Sequence, residues 1–252
     1  MKRYLLILLL LPALAPALDL SSGRIDDSYV YSGFPDNNWG ANTEIVLTGS
    51  PRYGLIRIDS TWVDSVGTGQ TIDSMIFHVR TTTVDVPASW YAYAMWKPGC
   101  WVESTGTGAG ALGGVSYNDW NGPDNEWGTA GCNTTGDVGT GSFNCTDAGG
   151  YDREATAYDS LDCATAYTWV TFYVRPSFLN GAYTNHKAVS IWLRLASASG
   201  SASLASTENT QTSWRPWVSV FYHTAEAPAE GTSATNQVNR PTATSNRGTV
   251  TR

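Results

Sequence analysis

What most constrains this chain is an alternation of apolar and polar residues in short runs. From Lys187 to Ala196, Val189, Ile191, Leu193 and Leu195 fall on one side, and Trp192 with Arg194 on the other. A period of two is the signature of a half-buried strand, because successive side chains leave a pleated strand on opposite faces. Glu44 to Leu47, Gly54 to Asp59, Thr71 to Arg80, Trp90 to Trp96, Tyr167 to Arg175 and Pro216 to Tyr222 behave alike, with Gly, Pro, Asn, Asp and Ser clusters between them. Roughly nine such runs between Asp26 and Tyr222, with no competing helical stretch of useful length, predict an all-β fold, an antiparallel β-sandwich of jelly-roll-like form. About two hundred residues suit one such domain and its core.

The alternation assigns faces. Val170, Phe172 and Val174 oppose Trp169, Thr171, Tyr173 and Arg175; Ile56 and Ile58 oppose Leu55, Arg57 and Asp59; Val218, Val220 and Tyr222 oppose Trp217 and Phe221. If these strands are neighbours, one outer face carries Trp192, Trp217, Arg57, Arg194 and Arg175. That face is either a binding surface or a floor covered by long loops.

Lys2 and Arg3 precede an apolar run from Leu5 to Leu14 and a small-residue site at Ala15-Pro16-Ala17. This is the pattern of a secretory signal peptide, residues 1–17, cut after Ala17. The run is too short to span a bilayer, so no membrane insertion is expected and the protein is predicted to be secreted and extracellular. Loss of Lys2 and Arg3 takes the formal charge from −7 to −9, which argues against nucleic acid and anionic membranes as partners. The sandwich is expected over residues 18–223. After Tyr222 the chain turns to Thr, Ala, Ser, Asn and Pro, which predicts a disordered tail over residues 224–252.

Cys100, Cys132, Cys145 and Cys163 are four cysteines in an exported chain, which predicts two disulfides. Of three connectivities we favour the nested one, Cys132 with Cys145 and Cys100 with Cys163, which would staple a long loop insertion at its neck. Zinc is disfavoured, since no Cys-x-x-Cys spacing occurs and His78, His186 and His223 are scattered. Calcium is a candidate cofactor where Asp and Asn crowd the loops, although the twelve-residue calcium-loop pattern is absent from the sequence. Asn133-Thr134-Thr135 and Asn144-Cys145-Thr146 match the glycosylation acceptor pattern.

Five of the eleven tryptophans lie between Trp90 and Trp127, in a stretch rich in Gly, Asn and Asp. Indoles offer an apolar face to a sugar ring while carboxylates and amides meet its hydroxyls. On that reasoning Trp96, Trp101, Tyr117, Trp120 and Trp127 are candidate stacking residues. Asp119, Asn121, Asp124 and Asn125 are candidate hydrogen-bonding partners, and Arg153 a candidate for the carboxylate of an acidic sugar.

Several segments, read in order, resemble the DNRLRE-domain family of secreted and surface β-sandwich modules. Asp27-Ser28-Tyr29-Val30 with Asn38-Trp39-Gly40 is similar to the family's first strand and turn, and Leu55-Ile56-Arg57-Ile58-Asp59 with Thr71-Ile72-Asp73-Ser74 to the strand and turn that follow. Trp101-x-Glu103, Tyr117-Asn118-Asp119-Trp120 and Trp127-Gly128 resemble its Trp-x-Glu and second-Trp block. Ser206-Thr207-Glu208 and Arg215-Pro216-Trp217-Val218-Ser219-Val220-Phe221-Tyr222 resemble its ending. The name-giving motif is reduced to Asp152-Arg153-Glu154, and a Gly-rich insertion separates Glu103 from Trp120. The family includes carbohydrate-binding modules attached to alginate lyases, so the resemblance implies a sandwich and a non-catalytic role. Arg57, Glu103, Glu208 and Arg215 are then expected to be structural, with Glu103 paired to Arg57.

The leading expectation is a non-catalytic extracellular carbohydrate-binding or adhesion module, with a polysaccharide or cell-surface glycan as partner and an acidic polysaccharide among the candidates. A structural subunit of an extracellular or virion assembly is the alternative. A glycosidase or lyase built on Glu103, Asp119, Asp124, Glu126, Asp152 and Glu154 ranks below both.

Overall fold

The computed structural model describes residues 17–49, 51–85, 88–96, 100–103, 105–107, 114–121, 126–136, 151–196 and 200–224. The elements run β1 (Ala17–Leu20), β2 (Ile25–Tyr31), β3 (Glu44–Thr48), β4 (Arg52–Ile58), α1 (Trp62–Val66), β5 (Gln70–Val84), β6 (Ala88–Ala94), β7 (Thr135–Gly136), β8 (Arg153–Glu154), β9 (Asp159–Cys163), β10 (Trp169–Val174), α2 (Pro176–Thr184), β11 (Val189–Leu195), β12 (Ser201–Ala205) and β13 (Trp217–Thr224). An eleven-stranded sheet curls into two layers, as an all-β sandwich requires. One layer is β1–β13–β5–β10; the other is β2–β4–β11–β6–β9.

Strand β5 makes the corner. Its first part pairs with β13 and β10, and its end pairs with β12, which carries the sheet on to β3. Register shifts opposite Phe221/Tyr222 and Ser203/Leu204 bend it, as bulges do where a strand passes from one layer to the other. Helix α2 locks the first shift: the Asn180 side chain accepts from Ile72 N at 3.0 Å and donates to Ile72 O at 2.9 Å.

The main core lies between the layers and holds Ile56, Ile58, Phe77, Val79, Val170, Phe172, Val174, Val189, Ile191, Leu193, Val218 and Val220. All but Phe77 and Val79 are residues that the alternation assigned inward. A second, smaller core lies on the other side of the β4–β11–β6 layer, where Leu55, Tyr93 and Trp192 meet Trp101, Val115, Trp127 and Cys132 from the loops.

Three expectations are corrected. Trp192, Arg57 and Arg194 belong to one layer and Trp217 to the other, with Arg175 following β10, so they share no outer face. Trp192 is fully buried beneath the loops. Helix α2, unexpected from the sequence, begins at Pro176 and buries Phe178, Leu179 and Ala182; proline at the first helical position and apolar residues four apart are its signal. Strand β13 also extends through Thr224, which pairs with Gln70. No helix among the described residues is long and apolar enough to cross a membrane.

Candidate functional site

The loop tryptophans are packing residues. Trp101 is 0% exposed and its Nε1 donates to Ser190 Oγ at 3.1 Å. Trp127 is buried and donates to Ser116 O at 3.1 Å. Trp96 is buried in the main core with its ring 5.2 Å from Phe178. Buried indoles are core anchors, so these three offer no stacking face to a sugar. Tyr117 and Trp120 are half-buried against the second core, and Asn121 is half-buried beside them. Asp119 is buried and folds onto Ser116, accepting from its hydroxyl at 3.3 Å while its own N–H donates to Ser116 Oγ at 3.0 Å. Asp124 and Asn125 lie outside the described residues.

Asp152-Arg153-Glu154 organises this loop layer. The Asp152 carboxylate accepts from the backbone N–H groups of Gly128 (3.1 Å), Thr129 (3.3 Å) and Thr134 (3.2 Å). Arg153 is 8% exposed, with its guanidinium 4.5 Å from the Tyr93 ring centre and 4.2 Å from that of Trp192. It donates to Cys132 O at 3.1 Å and Glu154 O at 3.0 Å, and burial lowers its pKa. A guanidinium so enclosed cannot meet a sugar carboxylate, which corrects its expected role. Glu154 is buried and paired with Arg175 at 3.2 Å. Gly131 is fixed by its surroundings: its φ is +77° and a Cβ would stand 2.6 Å from the Tyr117 ring. Cys100 and Cys132 are buried; Cys145 and the Cys163 side chain lie outside what is described, and the expected pairing with them.

Glu103 does not pair with Arg57. Arg57 instead donates from Nε to Asp26 at 2.9 Å and also bonds Trp101 O. Glu103 accepts from Asp27 N at 3.2 Å on the free edge of β2 and turns toward Asp27 and Glu208. The three carboxylates place ligand oxygens within 4.8 Å of one another. Asp27 is buried, with Thr207 N donating to it at 2.6 Å, and Thr207 Oγ1 donates to Glu208 at 2.9 Å. Burial, then the neighbouring carboxylates, raise the pKa of Asp27 well above its usual range and that of Glu103 to about 9. Such a group either retains protons at neutral pH or shares a hard divalent cation, and oxygen-only donors suit calcium. Arg215, expected to be structural, donates to Asn209 O at 3.0 Å in the adjoining turn.

A different surface carries the accessible rings. On the outer side of the β10–β5–β13 layer stand Trp169 (38% exposed) and Tyr173 (51%), with Tyr167 (60%) just before β10. Thr171 of β10 faces His78 of β5, and His78 faces Trp217 of β13. The His78 and Trp217 rings stack at 3.6 Å with an interplanar angle of 1°. Trp169 meets Trp217 edge-on at 6.5 Å, and Tyr167 meets Trp214 at 5.6 Å. Polar groups run across the same strands: His78 Nε2 lies 3.1 Å from Ser219 Oγ, which donates to Asp19 of β1 at 2.8 Å. Burial lowers the His78 pKa, so its ring is neutral at pH 7.

The period-two pattern does turn Trp169, Tyr173 and Trp217 outward. What hid this face is that its rings come from three distant segments and the Trp-rich stretch does not contribute. Fold and geometry together define a class: an all-β sandwich with one face of accessible aromatic rings and a cluster of three carboxylates. No protein-family model matches this sequence, and no curated protein matches it.

Proposed function

We propose that this chain is a non-catalytic, secreted module that binds a polysaccharide or cell-surface glycan on the outer face of the β10–β5–β13 layer. The observation that carries this reading is the grouping of Tyr167, Trp169 and Tyr173, three of the six large exposed apolar side chains among the described residues, beside Trp217. Rings on a sheet face present apolar surface at fixed spacing, and the half-buried Thr171 and His78 between them supply polar groups for sugar hydroxyls. The half-buried Tyr117 and Trp120 would serve at most as a secondary contact. Calcium, if it is a cofactor, belongs at Asp27, Glu103 and Glu208.

Calorimetry or affinity gels against a polysaccharide panel test the reading, with wild type expected to bind and a Trp169→Ala/Tyr173→Ala variant of unchanged melting temperature expected not to. Binding by wild type to no member of the panel contradicts it. The same face could instead pack against a second copy in an extracellular assembly. A ring-dependent dimer in size-exclusion chromatography would favour that alternative.

A further inference from the structure

Among the arginines of the described residues, Arg24, Arg57, Arg153, Arg175 and Arg215 donate to named acceptors. Arg52, Arg80 and Arg194 are different. Each is stacked on an aromatic ring, on Tyr31, Trp214 and Tyr91 respectively, and each has a buried Nε with no acceptor. Arg52 and Arg194 belong to the layer of β4 and β11. Arg80 belongs to the layer of accessible rings: it sits directly opposite Trp169 on β10, with its guanidinium carbon 4.7 Å from the Trp214 ring centre.

A donor held out of water without an acceptor is costly, and folded proteins rarely leave one without a reason. Where this chain uses arginine for structure it supplies an acceptor, a carboxylate for Arg57 and Arg175 and backbone carbonyls for Arg153 and Arg215. Stacking on Trp214 orients the planar fork, and a planar anion is the partner that such a fork takes with two parallel hydrogen bonds. The chain as a whole is acidic, with a formal charge of −7. A polyanion is therefore repelled at long range, and any preference for one must arise at a local cation.

We infer that Arg80, with Trp169 and Trp214, forms a subsite for an anionic substituent of the bound glycan, a carboxylate or a sulfate, whose sugar ring lies against the neighbouring indole. This rests on the glycan-binding reading above. It moves the reader of acidic sugars from Arg153, which is enclosed, to the half-buried Arg80, whose buried Nε has no protein acceptor.

The test uses the full chain and two pairs of polymers that share a backbone and differ in bearing an anionic substituent: polygalacturonate with its methyl ester, and dextran sulfate with dextran. Wild type should bind the charged member of at least one pair about tenfold more tightly at low salt, the worth of one charge-assisted hydrogen-bonded contact. The responding pair identifies carboxylate or sulfate. Arg80→Gln should bring the charged polymer down to the affinity of its neutral partner, while Trp169→Ala should weaken both members alike. Should the glutamine variant fail to fold, Arg80→Lys keeps the charge but not the fork, and most of the preference should still be lost. Equal affinity of wild type for both members of each pair, or a preference that survives either Arg80 substitution, overturns the inference and leaves the glycan reading standing. Binding to none of the four polymers removes both.

Discussion

At the scale of single residues, the same side-chain type divides by whether a strand or a loop presents it, and in the direction opposite to composition. Trp101 and Trp127 sit in Gly-rich loops yet are buried, because those loops close over the outer face of β4 and β11 and need rings to seal it. Trp169 sits in a regular strand yet is accessible, because its side of the sheet has no loop above it among the described residues. Trp101→Ala should therefore destabilise the protein by about 3 to 5 kcal/mol, the range for truncating a buried aromatic residue, whereas Trp169→Ala should leave the thermal midpoint nearly unchanged. Parallel melts check both. Period-two alternation made the direction of Trp169 legible in the sequence, but whether a layer of loops covers that direction depends on contacts between distant segments.

At the scale of elements, β2, the loop after Trp101 and the turn after β12 converge to bring Asp27, Glu103 and Glu208 together. The sequence alone pointed Glu103 toward Arg57. The register of β2 on β4 decides otherwise: Asp26 lies opposite Arg57 and takes its guanidinium, which leaves Glu103 to cap the free edge at Asp27 N. The sign of the pH effect follows. Asp27 and Glu103 have pKa values raised by folding, so the folded state holds protons that the unfolded chain has lost. The contribution of Glu103 is fully present below its unfolded value of 4.5 and fades as pH climbs to about 9, and that of Asp27 is fully present below 3.8 and fades as pH rises through its raised value. In EDTA the melting temperature should fall over that window, and Glu103→Gln should flatten much of the fall. Millimolar calcium should remove the slope if a cation replaces the protons. A melting temperature independent of pH in EDTA would show that the carboxyls are not so perturbed.

At the scale of the whole molecule, the sandwich itself was legible: the inward sets of β4, β10, β11 and β13 are the alternating residues read from the chain. Less legible were β12, a Ser- and Ala-rich strand without a strong pattern, and the corner in β5, where its pairing passes from β13 and β10 to β12 across a register shift. Strand β1 starts at Ala17 and pairs with β13 through Leu18, Asp19 and Leu20. Signal-peptide cleavage after Ala17 would thus spare three of its four paired positions, and a chain of residues 18–224 should melt with the chain of residues 18–252. A clear loss of stability in that shorter chain would mean that residues beyond Thr224 pack on the sandwich.

On the reading proposed above, the accessible rings of the β10–β5–β13 face, not the rings of the loops, hold the ligand. The most direct measurement is polysaccharide affinity for Trp169→Ala beside Trp120→Ala, each compared with wild type at matched folding. Losing one stacking ring removes on the order of 1 to 2 kcal/mol, so Trp169→Ala should bind about tenfold more weakly while Trp120→Ala binds as wild type does. Unchanged binding by Trp169→Ala together with a loss in Trp120→Ala would return the site to the loops and contradict the account.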